Sequence, residues 1–201
     1  MKILLIGDKE STYLWDYFDY EKFKDIEFII STGDLKSAYL QFLVTMLNVP
    51  LYYVPGNHDK NYLTNPPEGC INGDSRLIKH NDIKMVGFGG SLEYNGGTFQ
   101  FTEKQILRRY KKLRRKINSE GGIDILFAHA PAFELNDGKD VCHQGFKTFI
   151  EIIDKYNPKY FIHGHQHLNY NIQSRVLKYK QTTIINTYEY YVLDYDLPPE
   201  D

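Results

Sequence analysis

The sequence has little of what marks a secreted, membrane-spanning or nucleic-acid-coating protein. Its 201 residues hold two cysteines, Cys70 and Cys142. They make neither a disulfide framework nor a zinc-type spacing, so reduced thiols in a cytoplasmic protein are the simplest expectation, with a single disulfide left open. Long hydrophobic runs are missing, and no stretch is apolar enough to cross a bilayer, so no membrane partner is expected. Met1 to Ile6 runs straight into Gly7-Asp8 without a cleavage-like segment, unlike a secretory leader. A strong excess of either charge is missing too. The formal net charge is −2, which supplies no overall field toward nucleic acid or membrane. Repeats, low-complexity tracts and linkers are absent, and the length suits one domain, 1–201, with a substantial core.

What is present is an alternation of short apolar runs and amphipathic ones. ILLIGD, EFIISTGD, LYYVPGNHD, IKMVGFGGS, IDILFAHAP and KYFIHGHQH read as strands with loops attached. Residues 35–47, 103–117 and 144–156 carry helical spacing. In the second of these, Ile106, Tyr110, Leu113 and Ile117 share a face, and Thr102 with Gln105 predicts a capping box. The tail from Arg175 onward is β-branched and aromatic and predicts two or three antiparallel strands. The class is α/β with a β-rich C-terminal part.

Five of the strands end alike. An apolar run stops and metal-type ligands follow: Asp8; Asp34; Asn57, His58 and Asp59; His129; His165 and His167. In open α/β sheets, sites form beyond the carboxyl ends of the strands. Carboxylate and amide oxygens with imidazoles suit Mn, Mg, Fe, Zn or Ni, and the mixture suits a two-metal hydrolytic centre. His165 and His167 lie two residues apart, so in an extended segment they point the same way.

Gly33-Asp34, Gly56-Asn57-His58-Asp59, Ala128-His129-Ala130-Pro131 and Gly164-His165-Gln166-His167, in that order, resemble the calcineurin-like metallophosphoesterase family. The resemblance spans residues 8 to 167. It implies a four-layer α/β/β/α sandwich of two mixed β-sheets flanked by helices, with two divalent metals, Mn first among them, at the rim. One metal is expected on Asp8, Asp34 and His167. The other is expected on Asp34 as bridge, with Asn57, His129 and His165. His58 is expected to bind the phosphate and help the leaving oxygen, with Asp59 orienting its ring. The implied activity is phosphodiester hydrolysis by a metal-bridging hydroxide, with a phosphate ester as the partner molecule. The alternative is a non-catalytic scaffold or metal-binding protein that keeps the fold.

The departure from the family is Asp8-Lys9-Glu10, where the pattern has Asp-x-His. Glu10 is expected to ligate directly or through water, ahead of a weak first site. His143, in the loop after His129, has both a substrate-side reading and a capping or structural one. His163 alternates away from His165 and reads as a packed structural residue, and His80 reads as exposed in a polar turn. Asp34 has a second reading as the N-cap of the helix from Leu35. The basic run Arg108 to Lys116 reads as the solvated face of an amphipathic helix, with nucleic acid as a less favoured partner. Asn186 is expected to support the site from the C-terminal strands.

Overall fold

A computed structural model describes residues 1–168 and 174–196. Each long strand pairs a run of residues buried on both faces with a sheet that is covered on both faces, which is why these runs read as continuously apolar. In β1 (Lys2–Gly7), Ile3 and Leu5 face the space between the sheets while Leu4 and Ile6 face helices. The remaining elements are α1 (Thr12–Trp15), α2 (Tyr20–Phe23), β2 (Ile26–Ser31), α3 (Ser37–Leu47), β3 (Leu51–Tyr53), β4 (Ile71–Asn72), β5 (Arg76–His80), β6 (Ile83–Phe88), β7 (Ser91–Leu92), β8 (Gln100–Phe101), α4 (Glu103–Ser119), β9 (Ile125–Ala128), α5 (Lys147–Tyr156), β10 (Tyr160–His163), β11 (Val176–Tyr179), β12 (Thr182–Asn186) and β13 (Glu189–Asp194).

Two mixed sheets carry the fold. One runs β13-β1-β2-β3-β4, and the other runs β11-β12-β10-β9-β6-β5. Phe28, Ile30 and Val54 of the first pack on Met85, Phe127 and Ile162 of the second. On the outer face of the first sheet, α3 buries Tyr39, Leu40, Leu43 and Leu47 beside Leu4, Ile6 and Ile29. On the outer face of the second, α4 and α5 bury Ile106, Tyr110, Ile117, Phe149 and Ile152 against Val86, Leu126 and Phe161. The layers are therefore α/β/β/α, as the resemblance implies. The Thr102–Gln105 capping box forms as expected.

Three expectations need correction. The tail is not one antiparallel group. β11 and β12 pair antiparallel, but β12 lies parallel to β10, and β13 crosses to the other sheet to pair antiparallel with β1. Alternation in a sequence fixes that a strand forms, not which edge it joins. His80 is not simply exposed. It closes β5, with Nδ1 3.0 Å from the Tyr52 hydroxyl and its ring 4.4 Å from Phe28, and burial lowers its pKa. Arg109 leaves the solvated face of α4. It pairs with Asp74, its Nε donates to Ser75 Oγ at 2.6 Å, and it lies 4.5 Å from the Phe101 ring. Arg108, Arg114 and Arg115 are not buried, so the rest of the run is the solvated face.

Candidate metal centre

β1 and β2 each run out into an aspartate in left-handed backbone, Asp8 at φ 65° and Asp34 at φ 56°. Among residues with a Cβ, Asp and Asn tolerate that region best. Two glycines leave the space these carboxylates fill. A Cβ on Gly56 would lie 2.0 Å from Asp34 Oδ1, and one on Gly164 would lie 2.7 Å from Asp8 Oδ2. Asp34 Oδ1 accepts the His58 amide at 2.8 Å, while Oδ2 lies 3.5 Å from His129 Nε2 and 3.9 Å from His58 Nε2. Its alternative role as helix cap is not used, because Lys36 is the N-cap residue of α3. Asp8 Oδ1 accepts the His165 amide at 2.7 Å, whereas its buried Oδ2 has no hydrogen-bond partner. Burial, then the neighbouring Asp34 carboxylate, push the Asp8 carboxyl well above the usual range.

The histidines arrive from the second sheet, and carbonyls fix their tautomers. His129 Nδ1 lies 2.9 Å from the Thr32 carbonyl, so Nδ1 carries the proton and Nε2 presents a lone pair. His165 Nε2 lies 2.5 Å from the Cys142 carbonyl, which leaves Nδ1 bare. Those two bare nitrogens face each other at 3.1 Å. Asn57 turns its Nδ2 to the Tyr94 hydroxyl at 3.3 Å and its Oδ1 to His129 Nε2 at 2.8 Å. Burial lowers the His129 pKa, and burial with the neighbouring His129 takes His165 down to about 3. Both rings therefore stay neutral near pH 7, the form that binds a cation.

Lone pairs thus converge with no proton between them. Asp34, His129 and His165 offer ligand atoms within 4.8 Å of one another. The unpartnered Asp8 oxygen and the neutral imidazoles fit a divalent cation with mixed oxygen and nitrogen preference. Asp8, Asp34, His58, His143, His165 and His167 line a cavity of about 340 Å³ beside this cluster. The His167 ring packs on Tyr188 at 5.0 Å. His143 is in the cavity wall, with Nδ1 2.7 Å from Asp140 Oδ1 and its ring 5.3 Å from that of His165. His163 faces away, wholly buried and stacked on Phe161, and burial lowers its pKa to about 4.

A model of the calcineurin-like phosphoesterase family matches residues 1–169. The chain belongs to that family. Its fold is shared by solved structures at low identity. The TT1561 protein of Thermus thermophilus superposes with a TM-score of 0.67 at 16% identity, over 96% of this chain and 93% of that one. An archaeal phosphodiesterase gives a TM-score of 0.46 at 16% identity, over 98% of this chain and 94% of that one. No curated protein sequence matches the chain.

Two of the expected site residues make other contacts in this structure. Glu10 lies outside the Asp34, His129 and His165 group. Its Oε1 accepts the Lys36 amide at 3.0 Å, placing a carboxylate at the N-terminus of α3, where the helix dipole favours negative charge. The Asp59 carboxylate does not orient the His58 ring. Its Oδ2 takes the amides of Asp34 and Gly56, both at 2.7 Å, and so clamps two ligand-bearing loops together. Burial raises its pKa to about 7. Asn186 Nδ2 donates to the Gln166 carbonyl and its Oδ1 accepts the Tyr188 amide, both at 2.8 Å, which ties the segment after β12 to the loop that carries His165 and His167.

Several contributors were not legible in the sequence. Thr32 aims His129 through its carbonyl, and its hydroxyl lies 2.7 Å from that of Thr187. The Cys142 carbonyl aims His165, and Tyr94 holds Asn57. Main-chain carbonyls carry no residue signature. The one available hint was Thr32 itself, a hydroxyl residue buried directly before Gly33-Asp34.

Proposed function

We propose that the chain hydrolyses phosphodiesters at a two-cation centre held by Asp8, Asp34, Asn57, His129, His165 and His167. The observation that supports this most is the convergence of bare imidazole nitrogens and carboxylate oxygens on one cavity, with a buried Asp8 oxygen left unpartnered. Divalent cations at such a centre supply Lewis-acid polarisation of phosphoryl oxygens and an acidified water, with Mn the first choice and Fe, Zn, Ni or Mg alternatives. The chain's own residues do the rest. His58, whose side chain is 75% exposed, stands in the cavity wall with its backbone tied to Asp34. Its ring hydrogen-bonds the substrate phosphate and delivers a proton to the leaving oxygen. Asp59 keeps the His58 loop in register with the Asp34 loop. His143 faces the phosphate from the opposite loop and donates to a non-bridging oxygen. Diesters are preferred over monoesters because the motifs follow one another with no inserted domain to close over the cavity. The unpaired Cys70 and Cys142 suit a reducing, cytoplasmic setting.

One observation favours a second reading. With Glu10 withdrawn to α3, the Asp8 side has fewer donors than the His129 side, which suits a metal-binding scaffold without turnover. The deciding experiment is elemental analysis after Mn loading and dialysis, followed by assays on bis(p-nitrophenyl) phosphate and p-nitrophenyl phosphate. Close to two cations per chain with faster diester turnover supports the proposal. One or fewer, with no turnover in excess Mn, favours the scaffold. His58→Ala should then keep the cations and lose turnover in an enzyme.

A further inference from the structure

Glu10 lies outside the candidate metal cluster, and its surroundings form a path. His58 and Asp34 line the metal cavity, and both also line a second cavity of about 190 Å³ with Glu10, Lys36, Asp59 and Asn61. Glu10 and Lys36 line a third cavity in turn, of about 260 Å³, with Ser11, Thr12, Trp15 and Asp16. The three share walls in sequence, so a groove leads from the phosphate position past His58 to Trp15. The leaving oxygen of a diester departs on the side of the group that protonates it, here His58, and the alcohol attached to it must lie along that groove.

From this groove we infer a leaving-group subsite built by Glu10, Lys36 and Trp15, taking a neutral polyhydroxyl alcohol with a stacking ring, of which a nucleoside is the type. It rests on the phosphodiesterase reading above and names the substrate class for it. The wall chemistry carries the choice. Glu10 and Asp16 repel a leaving group that bears its own phosphate. The same carboxylates, with the Ser11 and Thr12 hydroxyls, accept hydrogen bonds from a vicinal diol. Glu10 spends one oxygen, Oε1, on the Lys36 amide, and the residue lines the groove. Trp15 is half-buried against Tyr39 at 4.9 Å, so its indole is braced while it borders the groove. A braced ring stacks on a flat partner at little entropic cost. Lys36 Nζ sits 6.0 Å from the indole centroid, at the junction of the second and third cavities.

Trp15 is the sole tryptophan, so its emission reports on the subsite directly. The full chain is titrated with adenosine and, separately, with glucose, in the metal-loaded and the chelated form. Saturable change in Trp15 emission with either ligand supports the subsite, and the ligand that acts identifies the base-bearing or the sugar source. Glu10→Gln keeps an acceptor for the Lys36 amide and removes the charge. It should weaken binding about tenfold and lower kcat/KM for adenylyl-adenosine relative to bis(p-nitrophenyl) phosphate by a similar factor, with cation content unchanged. Turnover of both diesters with no saturable Trp15 response, or equal binding by Glu10→Gln, overturns the subsite alone. Binding of adenosine with hydrolysis of neither diester overturns the phosphodiesterase reading, and the leaving-group assignment with it.

Discussion

The two sheets contribute different chemistry to the rim where they meet. The first sheet, through β1, β2 and β3, delivers oxygen donors: Asp8, Asp34 and Asn57. The second, through β9 and β10, delivers nitrogen donors: His129, His165 and His167. The oxygen side is set by backbone conformation, with Asp8 and Asp34 in left-handed turns and glycines vacating the space beside them. The nitrogen side is set by hydrogen bonds to ring nitrogens, and the bond on His129 comes from Thr32 of the opposite sheet. The Asp8 carboxylate returns the brace by taking the His165 amide. Neither sheet holds a site alone. The difference teaches that the centre is a property of the interface, and that each half is oriented by a group belonging to the other.

The most damaging way to break the comparison is at the shared carboxylate. Asp34→Asn removes charge next to His129 and His165, and turnover should fall on the order of a thousandfold, equivalent to about 4 kcal/mol of barrier, with at least one cation lost. Elemental analysis and diester assays on the same sample check it. If cation content and turnover both persist, Asp34 is not where the halves join.

The nitrogen half carries a pH signature that the oxygen half does not share. His163 is buried with a pKa lowered to about 4, so its folded form stays neutral while the unfolded chain takes up a proton near pH 6.5. Stability from this group is complete above about pH 6.5 and is lost as pH falls toward 4, by roughly 3 kcal/mol. Asp59 has the opposite sign, because its raised pKa of about 7 favours the folded state at low pH and less so as pH climbs through 7. In chelated protein, His163→Asn, which keeps a donor for the Gly164 carbonyl, should flatten the acid limb of urea-unfolding free energy against pH. An unchanged limb would remove His163 as its source.

A steric test follows at the seam. A Cβ on Gly164 would sit 2.6 Å from the Thr32 hydroxyl and 2.7 Å from Asp8 Oδ2, one contact from each element the seam depends on. Gly164→Ala should cost about 2 kcal/mol of stability and weaken cation retention. Equal unfolding curves and equal metal content would mean the seam yields freely. The smallest effect concerns the residue that left the site. Glu10→Ala should lose about 1 kcal/mol through the uncapped Lys36 amide while cation content stays that of the parent. Loss of a cation would return Glu10 to the metal.

Much of the candidate centre was legible because groups able to hold a metal come as side chains of restricted types placed just after strands. Asp8, Asp34, Asn57, His129, His165 and His167 could be named as candidate ligands from strand ends, with His58 beside them, and the apolar runs before them read as strands. The roles of Asp59 and Glu10 were not legible. A carboxylate beside a histidine bonds equally well to that ring or to a backbone amide, and the nearer free amides belonged to Gly56 and Asp34, the second of them distant in sequence. Glu10 likewise met an open helix terminus that local pattern does not place beside it.

The sequence by itself determined that the six apolar runs and the tail form strands, that three amphipathic stretches form helices, and which side chains are available as ligands. These follow from local periodicity and chemical type, which need no partner. Tertiary structure alone decided that β13 crosses to β1, that Thr32 aims His129, that Asp8 is left with an unpartnered oxygen and that Glu10 faces a groove beside Trp15. Each of these depends on groups far apart in the chain meeting across the seam, and the energy of that meeting is recorded in packing rather than in any short stretch of sequence.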